Sequence, residues 1–353
     1  MRILTVIGAR PQFIKAAAFS KAVRERFSDN IKEVIIHTGQ HYDSNMSEIF
    51  FNQMNIPRPD YNLDSGSDTH ARQTADMMVK IEDICIKESP DYLLVYGDTN
   101  STLAGALAAG KLNIPVLHIE AGLRSRNMNM PEEKNRILTD HISSILFCPT
   151  EEAEKNLHNE NVWGRIIRTG DIMYDSFRFF SDYRTLPDNI PDDFILCTVH
   201  RAENTDSPER LEKILSIFRR LEKKIILPLH PRTKKHFNSM NLPENVIIIP
   251  PVGYPDMLGL LHECEFVMTD SGGLQKEAAF AGRFCVTLRD ETEWTETVQM
   301  GWNLVSSLKI DIICDFLKKN DHHQIKRSEI EKIFGNGNSA EFICKTIIHY
   351  FSD

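Results

Sequence analysis

Nowhere in these 353 residues does an apolar run approach the ~18 residues that cross a bilayer, so no membrane partner is expected. The opening MRILTVIGARPQFIK has a short apolar stretch and no small-residue cleavage site, and it reads as a strand rather than a secretory leader. Positive charge is not in excess: 41 Lys and Arg face 50 Asp and Glu, a formal net charge of -9. A nucleic-acid scaffold is usually basic, so nucleic acid is not an expected partner. Local Arg, Lys and helix N-termini still suffice to hold phosphates. Paired cysteines are missing too. Cys85, Cys148, Cys197, Cys264, Cys285, Cys314 and Cys344 show neither CxxC pairing nor regular spacing. A dispersed, odd set in a chain this long reads as reduced core thiols of a cytoplasmic protein. HExxH and Walker A patterns are absent. His118-Ile119-Glu120 starts like a zinc-deaminase motif, but no PCxxC follows. The histidines stand singly, so neither a metal nor another cofactor is expected.

What is present is globular and layered. Hydrophobic residues make up 41% and charged residues 26%, and the length suits two domains. Short apolar runs alternate with helical patterns from the first residue. Strands are expected at 2–8, 33–39, 92–97, 114–122 and 145–150. Helical patterns lie at 11–27, 44–54, 70–89, 100–112 and 131–145. A second series begins after about residue 178, with strands at 194–200, 225–231, 246–253, 266–273 and 284–289. Its helices run over 207–223 and to about 281. Such alternation predicts an α/β fold with two doubly wound, Rossmann-like domains built on parallel sheets. The N-terminal domain is expected over 1–175, with the closing helix 340–353 packing back on it. The C-terminal, ligand-binding domain is expected over 176–339. Open sheets of this kind bind ligands at the carboxyl ends of their strands, here in an interdomain cleft.

The polar residues worth attention sit at those ends. After the first strand come Gly8, Arg10 and Lys15, a turn where backbone and two cations are placed to meet a phosphate; a tight turn with solvated cations is the plainer reading. Gly97-Asp98-Thr99 follows YLLVY, and Asp98 is also a natural N-cap. Glu120 closes a buried parallel strand, where an unpaired acid is costly; Arg124 and Arg136 are its candidate partners. In MPEEKNRILTDH, Pro131 suits the first helical position, and Glu132 and Glu133 suit the dipole of the first turn. Yet Asp98, Glu120 and Glu132 come from successive crossovers of one sheet. Carboxylates that face one cleft raise each other's pKa values, which suits proton transfer. In the second half, His200 and Arg201 end one strand and His230 and Arg232 the next. Ser271-Gly272-Gly273 opens a helix directly after a strand, with free N–H groups for a diphosphate. Glu277 lies one turn further, placed for a ribose or simply for the helix dipole. From the residues alone, the ligand is an anion, best read as a nucleoside diphosphate group. Glycosyl transfer and proton chemistry on a nucleotide sugar both remain open.

The motifs GARPQFIK, VYGDTNSTLAGALAA, HIEAGLRS, MPEEKNRILTDH, HRAEN and TDSGGLQKEA, spread in order over about residues 1 to 296, together resemble the non-hydrolysing UDP-N-acetylglucosamine 2-epimerases. The resemblance implies a two-domain GT-B-type fold, a homodimer, and a role in supplying surface polysaccharide precursors. It implies inversion at C2 by loss of a proton and of UDP, through a glycal, and re-addition. Asp98, Glu120 and Glu132 then match the acid/base carboxylates, with Glu133 less closely matched, and His200 matches the group at the departing diphosphate. Arg10, Lys15, Ser271, Gly272, Gly273 and Glu277 match the UDP-binding positions. The sequence also departs from the pattern. Trp294 stands where many members carry arginine. Gln40-His41-Tyr42-Asp43 replaces the QHRQ-like stretch of a regulatory second site, and Asp76 or Met77 falls near that site's arginine. HTGQHYDSNMSEIFF and RDETEW resemble instead the subgroup acting on UDP-2,3-diacetamido-2,3-dideoxyglucuronate. For that carboxylated sugar Arg124, Arg201 and Arg232 are the candidate extra cations, each equally open to a structural ion pair. Plain UDP-N-acetylglucosamine, the commonest substrate of the family, is the first expectation. A hydrolysing relative, a glycosyltransferase of the same fold and a non-catalytic nucleotide-sugar sensor are the competing readings.

Overall fold

A computed structural model describes residues 1–39, 57–229, 237 and 241–352. The helical pattern expected at 44–54 lies outside them. The chain forms two compact units, Met1–Arg178 with Glu331–Asp353, and Phe179–Ile330.

The first unit is a seven-stranded, all-parallel sheet. Its strands are β1 (Arg2–Ile7), β2 (Lys32–His37), β3 (Tyr61–Asn62), β4 (Tyr92–Tyr96), β5 (Val116–Ile119), β6 (Ile145–Cys148) and β7 (Arg165–Arg168), in the order β3-β2-β1-β4-β5-β6-β7. The middle strands are apolar on both faces because helices cover both faces. Leu4, Val6, Leu93 and Val95 pack with Met77 and Ile81 of helix His70–Glu88 and with Ala104 and Ala108 of helix Asn100–Lys111. The small residues of STLAGALAA bring that helix close to the sheet: a Cβ on Gly105 would lie 3.2 Å from Val95 and 3.3 Å from Val6. The closing helix Ser339–Ser352 belongs to this unit, with Ile343, Cys344 and Ile347 fully buried and Glu341 ion-paired to Arg26.

The second unit has six parallel strands, β8 (Phe194–Thr198), β9 (Lys224–Pro228), β10 (Val246–Ile249), β11 (Phe266–Thr269), β12 (Phe284–Thr287) and β13 (Asn303–Val305), in the order β10-β9-β8-β11-β12-β13. Ile195, Cys197, Ile225, Leu227, Met268 and Val286 form its core with Leu211, Ile214 and Phe218 of helix Pro208–Arg220. In each sheet the strand order reverses once, between β1 and β4 and between β8 and β11. The chain therefore leaves those neighbouring strands in opposite directions and opens a crevice at their carboxyl ends.

Several boundaries differ from the sequence reading. The strand expected over 114–122 ends at Ile119, because Glu120 and Gly122 take left-handed backbone conformations, with φ of 69° and 83°. The helix expected over 11–27 is α-helical over Arg10–Ala22 and closes in a π-helical turn, Val23–Phe27. All seven cysteines are free thiols. Burial pushes the Cys85 and Cys264 thiols up to about 12, so they pack as small apolar groups.

Glu33 on β2 is the exception to this orderly core. The residue is half-buried while its carboxyl end is enclosed, and that burial pushes its pKa up to about 7 although Thr5 Oγ1 donates to the carboxylate at 2.8 Å. Arg24, Asp60, Tyr96 and Cys344 are the other ionisable groups around it. A carboxyl group that holds its proton more tightly when folded stabilises the fold fully below its ordinary value near 4.5. That contribution, of order 3 kcal/mol, is lost as pH rises through about 7. Glu33→Gln is therefore expected to be nearly neutral at pH 5 and stabilising at pH 8. Denaturant titrations of both proteins at the two pH values measure it; equal gains at both would exclude a titrating Glu33.

Candidate active site

In the first unit the site begins at Gly8, where a Cβ would lie 2.1 Å from Ser101 Oγ and 2.3 Å from Thr38 Oγ1. Only glycine fits the turn. Gln12 ties this turn to the next strand: its Oε1 accepts from the N–H groups of Gly8 (2.8 Å) and Ala9 (3.0 Å), and its Nε2 donates to the Tyr96 carbonyl (2.8 Å). Arg10 is placed only as the first residue of its helix. One turn on, Lys15 Nζ donates to Glu120 Oε1 at 2.6 Å, and both side chains are at least nine-tenths buried. Glu120 thus has Lys15 as its cation, not Arg124 or Arg136. Its left-handed backbone costs of order 1–3 kcal/mol for a residue with a Cβ, a cost kept where the surroundings dictate the conformation. Gly97, also left-handed at φ 63°, lies against the pair: a Cβ there would be 3.3 Å from Lys15 Nζ and 3.4 Å from Glu120 Oε1.

Asp98 follows directly. It does not cap the next helix, because Thr99 is the N-cap and accepts from the Thr102 N–H. Its Oδ2 instead accepts from Arg136 Nη2 at 2.5 Å, and its side chain keeps 26% of its surface exposed. Arg136 in turn donates Nη1 to Glu133 at 2.7 Å. The two adjacent glutamates part company here. Glu133 is buried and also accepts from the N–H groups of Ser125 (2.9 Å) and Arg126 (2.8 Å). Glu132 is half-buried and has no hydrogen bond or ion pair among the described residues. Asp98 and Glu120 each face a cation, so the three acids are not the mutually repelling set that the sequence suggested.

Behind these groups runs a buried polar network that sequence reasoning missed. His118 is hydrogen-bonded through Nδ1 to Asp140 (2.7 Å) and through Nε2 to the Gly97 carbonyl (2.8 Å). Asp140 also accepts from the Gly122 N–H (3.1 Å) and pairs with Arg124 (2.8 Å). Burial pushes the Asp140 carboxyl up, but His118 and Arg124 outweigh it and hold the group below its usual range. Arg124, an expected ligand-binding cation, is committed internally, its remaining donors going to Glu160 and the Leu123 carbonyl. The network fixes both ends of the strained loop that carries Glu120.

In the second unit the corresponding position lies at the ends of β8 and β11. Ser271 caps helix Gly272–Phe280, whose first N–H groups carry its positive dipole end. A Cβ on Gly272 would lie 2.1 Å from Glu293 Oε1, whereas one on Gly273 would meet nothing within 4 Å. The second glycine therefore leaves room for a group to approach the backbone. Glu293 is paired with Arg289 at 3.0 Å, both buried, and Lys276 stacks its ammonium 4.2 Å from the centre of the Trp294 ring. Glu277 is buried and accepts from the Tyr254 hydroxyl at 2.8 Å, which fixes its carboxylate. His200 stands at the end of β8 beside Asp270. Arg201 donates Nε to the Asp270 carbonyl at 3.1 Å. His230 and Arg232 lie outside the described residues. Among the described residues no group of His, Cys, Asp and Glu is suited to hold a metal ion. No helix of the described residues is long and apolar enough to cross a membrane.

Two parallel α/β sheets with ionisable groups gathered at their switch points define an α/β enzyme of the GT-B class. A family model described as UDP-N-acetylglucosamine 2-epimerase matches residues 23–348. The chain is 50% identical over 357 residues to the UDP-2,3-diacetamido-2,3-dideoxy-D-glucuronate 2-epimerase of Pseudomonas aeruginosa, covering 98% of this chain and 100% of that one. It is 43% identical over 370 residues to the UDP-N-acetylglucosamine 2-epimerase of Methanocaldococcus jannaschii, covering 99% of each. A crystal structure of UDP-GlcNAc 2-epimerase from that organism, in complex with UDP-GlcNAc and UDP, matches with a TM-score of 0.88 at 42% identity over 99% of this chain and 100% of that one. The chain belongs to the UDP-N-acetylglucosamine 2-epimerase family, and it is an isomerase of nucleotide sugars.

Proposed function

We propose that the protein is a non-hydrolysing 2-epimerase that interconverts UDP-N-acetylglucosamine and UDP-N-acetylmannosamine. The observation that carries this reading is the set of three carboxylates held in three different states: Asp98 and Glu120 after neighbouring strands, paired to Arg136 and to Lys15, and Glu132 in the first turn of the following helix, unpaired among the described residues. Epimerisation needs a group that takes a proton and one that returns it to the opposite face, and different surroundings are how like groups acquire different roles. In the forward half, a carboxylate takes the C2 proton, the C–H electrons form a C1=C2 bond, and the C1–O bond breaks with its electron pair leaving on UDP. In the return half, C2 receives a proton on its other face and UDP re-adds to C1. His200 is read as the group at the departing diphosphate, where a donor stabilises the developing charge. The helix opened by Ser271, Gly272 and Gly273 holds the diphosphate, Glu277 the ribose, and Arg10 and Lys15 add positive charge. On this reading residues 1–175 with 340–353 form the carboxylate-bearing domain and 176–339 the UDP-binding domain. The protein acts in the cytoplasm, as a homodimer, to supply surface polysaccharide precursors.

A second reading takes UDP-2,3-diacetamido-2,3-dideoxyglucuronate as the substrate. It is supported by the 50% identity to the Pseudomonas enzyme of that name and by RDETEW, where Trp294 covers Lys276. Both readings are tested by incubating the protein in heavy water with each UDP-sugar and following the sugar protons by NMR. Loss of the H2 signal with formation of a 2-epimeric nucleotide sugar is the expected result, and the sugar that reacts faster is the substrate. Release of free N-acetylmannosamine would place the protein among hydrolysing enzymes, and turnover that requires an acceptor and leaves H2 in place would make it a glycosyltransferase.

A further inference from the structure

The second unit contains a carboxylate that the roles above do not use. Asp270 directly follows β11 and is wholly buried. Its two oxygens receive the His200 N–H at 3.1 and 3.0 Å, the Arg201 N–H at 3.0 Å and Asn204 Nδ2 at 3.0 Å. Oδ1 also lies 3.1 Å from His200 Nδ1, on a side chain that is 55% exposed. The next residue in the chain is Ser271, which caps the helix of Gly272 and Gly273 and whose N–H donates to Thr269 Oγ1 at 2.9 Å. Thr269 Oγ1 in turn lies 2.6 Å from Thr198 Oγ1 on the neighbouring strand. One residue therefore touches both groups read as diphosphate ligands: the imidazole through its side chain, the helix N-terminus through its backbone.

We propose that Asp270 is the positioning residue of His200, holding Nδ1 so that the ring presents Nε2 outward at a set distance from the first turn of helix Gly272–Phe280. The inference rests on the reading of His200 as the group at the leaving diphosphate. The chemistry is that of a carboxylate behind a working histidine: an acceptor-only group beside Nδ1 places the proton there, fixes the ring plane, and leaves the other nitrogen for the ligand. Burial pushes the Asp270 carboxyl up, but the His200 imidazole, Asn204 and the Arg201 N–H outweigh it and hold the group below its usual range, since each favours the charged form. A carboxylate that merely tied down the loop 199–204 would need those three donors and not the imidazole.

The test compares Asp270→Asn, His200→Asn and the double variant, with deuterium incorporation at C2 as the rate. Asp270→Asn is expected to lower kcat on the order of 100-fold while changing KM less than about 3-fold. In the His200→Asn background the same change should add less than about 3-fold, because its effect passes through the ring. Independent losses that multiply, or a loss confined to KM, would overturn the proposal. Asn204→Ala separates the loop from the ring: it removes one Asp270 contact without touching the imidazole, and near-normal kcat is expected, whereas a loss matching Asp270→Asn would show a loop tie only. A further readout needs no substrate. In protein labelled with 15N-histidine, His200 should show a slowly exchanging, downfield Nδ1–H proton that disappears in Asp270→Asn; its absence from the unaltered protein overturns the contact itself. If the unaltered protein exchanges no C2 proton on either UDP-sugar, the epimerase reading has failed, and the NMR signal still decides whether Asp270 orients His200.

Discussion

Glu132→Gln is expected to lower the exchange of the C2 proton by 10²-fold or more, the scale of one general acid or base, with UDP affinity little changed. Glu132 has no hydrogen bond or ion pair to lose among the described residues, so the amide fits the same space and removes only the ability to carry a proton. Glu133→Gln is expected to behave in the opposite way. Its carboxylate accepts from two backbone N–H groups and from Arg136, and an amide nitrogen turned towards any of these donors leaves it unmet. The loss should appear mainly in stability, on the order of 2–3 kcal/mol. Isotope exchange followed by NMR and denaturant titration of the two variants separate the roles. If Glu132→Gln exchanged normally, the Pro-Glu-Glu turn would be helix punctuation and nothing more.

The second large effect lies away from the reacting groups. Asp140→Ala is expected to cost about 3–5 kcal/mol, because it removes one buried partner from Arg124, which keeps Glu160, and one from His118, which keeps the Gly97 carbonyl. It also releases the Gly122 N–H and loosens the loop that holds Glu120 in its left-handed conformation. Activity should therefore fall further than the folded fraction does, and comparing kcat per folded molecule with the denaturation midpoint measures the difference. The pH dependence has a definite sign. The Asp140 carboxyl titrates below its ordinary value in the folded protein, so its stabilisation is present above the ordinary value near 3.8 and is lost as pH falls through the lower, folded one. An Asp140→Ala protein should lack that part of the acid sensitivity.

Much of this was legible in the sequence, and the residues show why. β1, β4, β6, β8 and β11 are apolar runs bounded by turns, the pattern that burial on both faces imposes. β7 reads RIIR and β3 is two residues long, so neither edge strand stands out from its surroundings. Strand ends were readable where a glycine followed, as at Gly8 and Gly97. At Glu120 the strand stopped three residues earlier than expected, since nothing in HIEAG announces a left-handed glutamate. The pairings were the least legible part. Lys15 and Glu120 are 105 positions apart, His200 and Asp270 70 apart, and only the crossover topology brings them together. Asp98 looked like a cap because aspartate commonly is one, but Thr99 supplies the capping oxygen and frees Asp98 to meet Arg136. Asp140 and Asp270, whose carboxylates tie down the loops at these strand ends, are ordinary residues in the linear chain.

The first unit is made from two separate stretches of the polypeptide, residues 1–178 and 331–353, with the other unit's segment between them. During synthesis its sheet emerges before the second unit, but the helix bearing Ile343, Cys344 and Ile347 is translated only after it. At ~5–20 residues per second, the intervening stretch delays it by on the order of ten seconds. For that interval the nascent sheet lacks one of its covering helices, and the apolar surface that this helix will bury is open to chaperones and to other growing chains. A truncation removing residues 339–353 would make that passing state permanent, leaving the carboxylates Asp98, Glu120 and Glu132 in place and the unit that carries them uncovered.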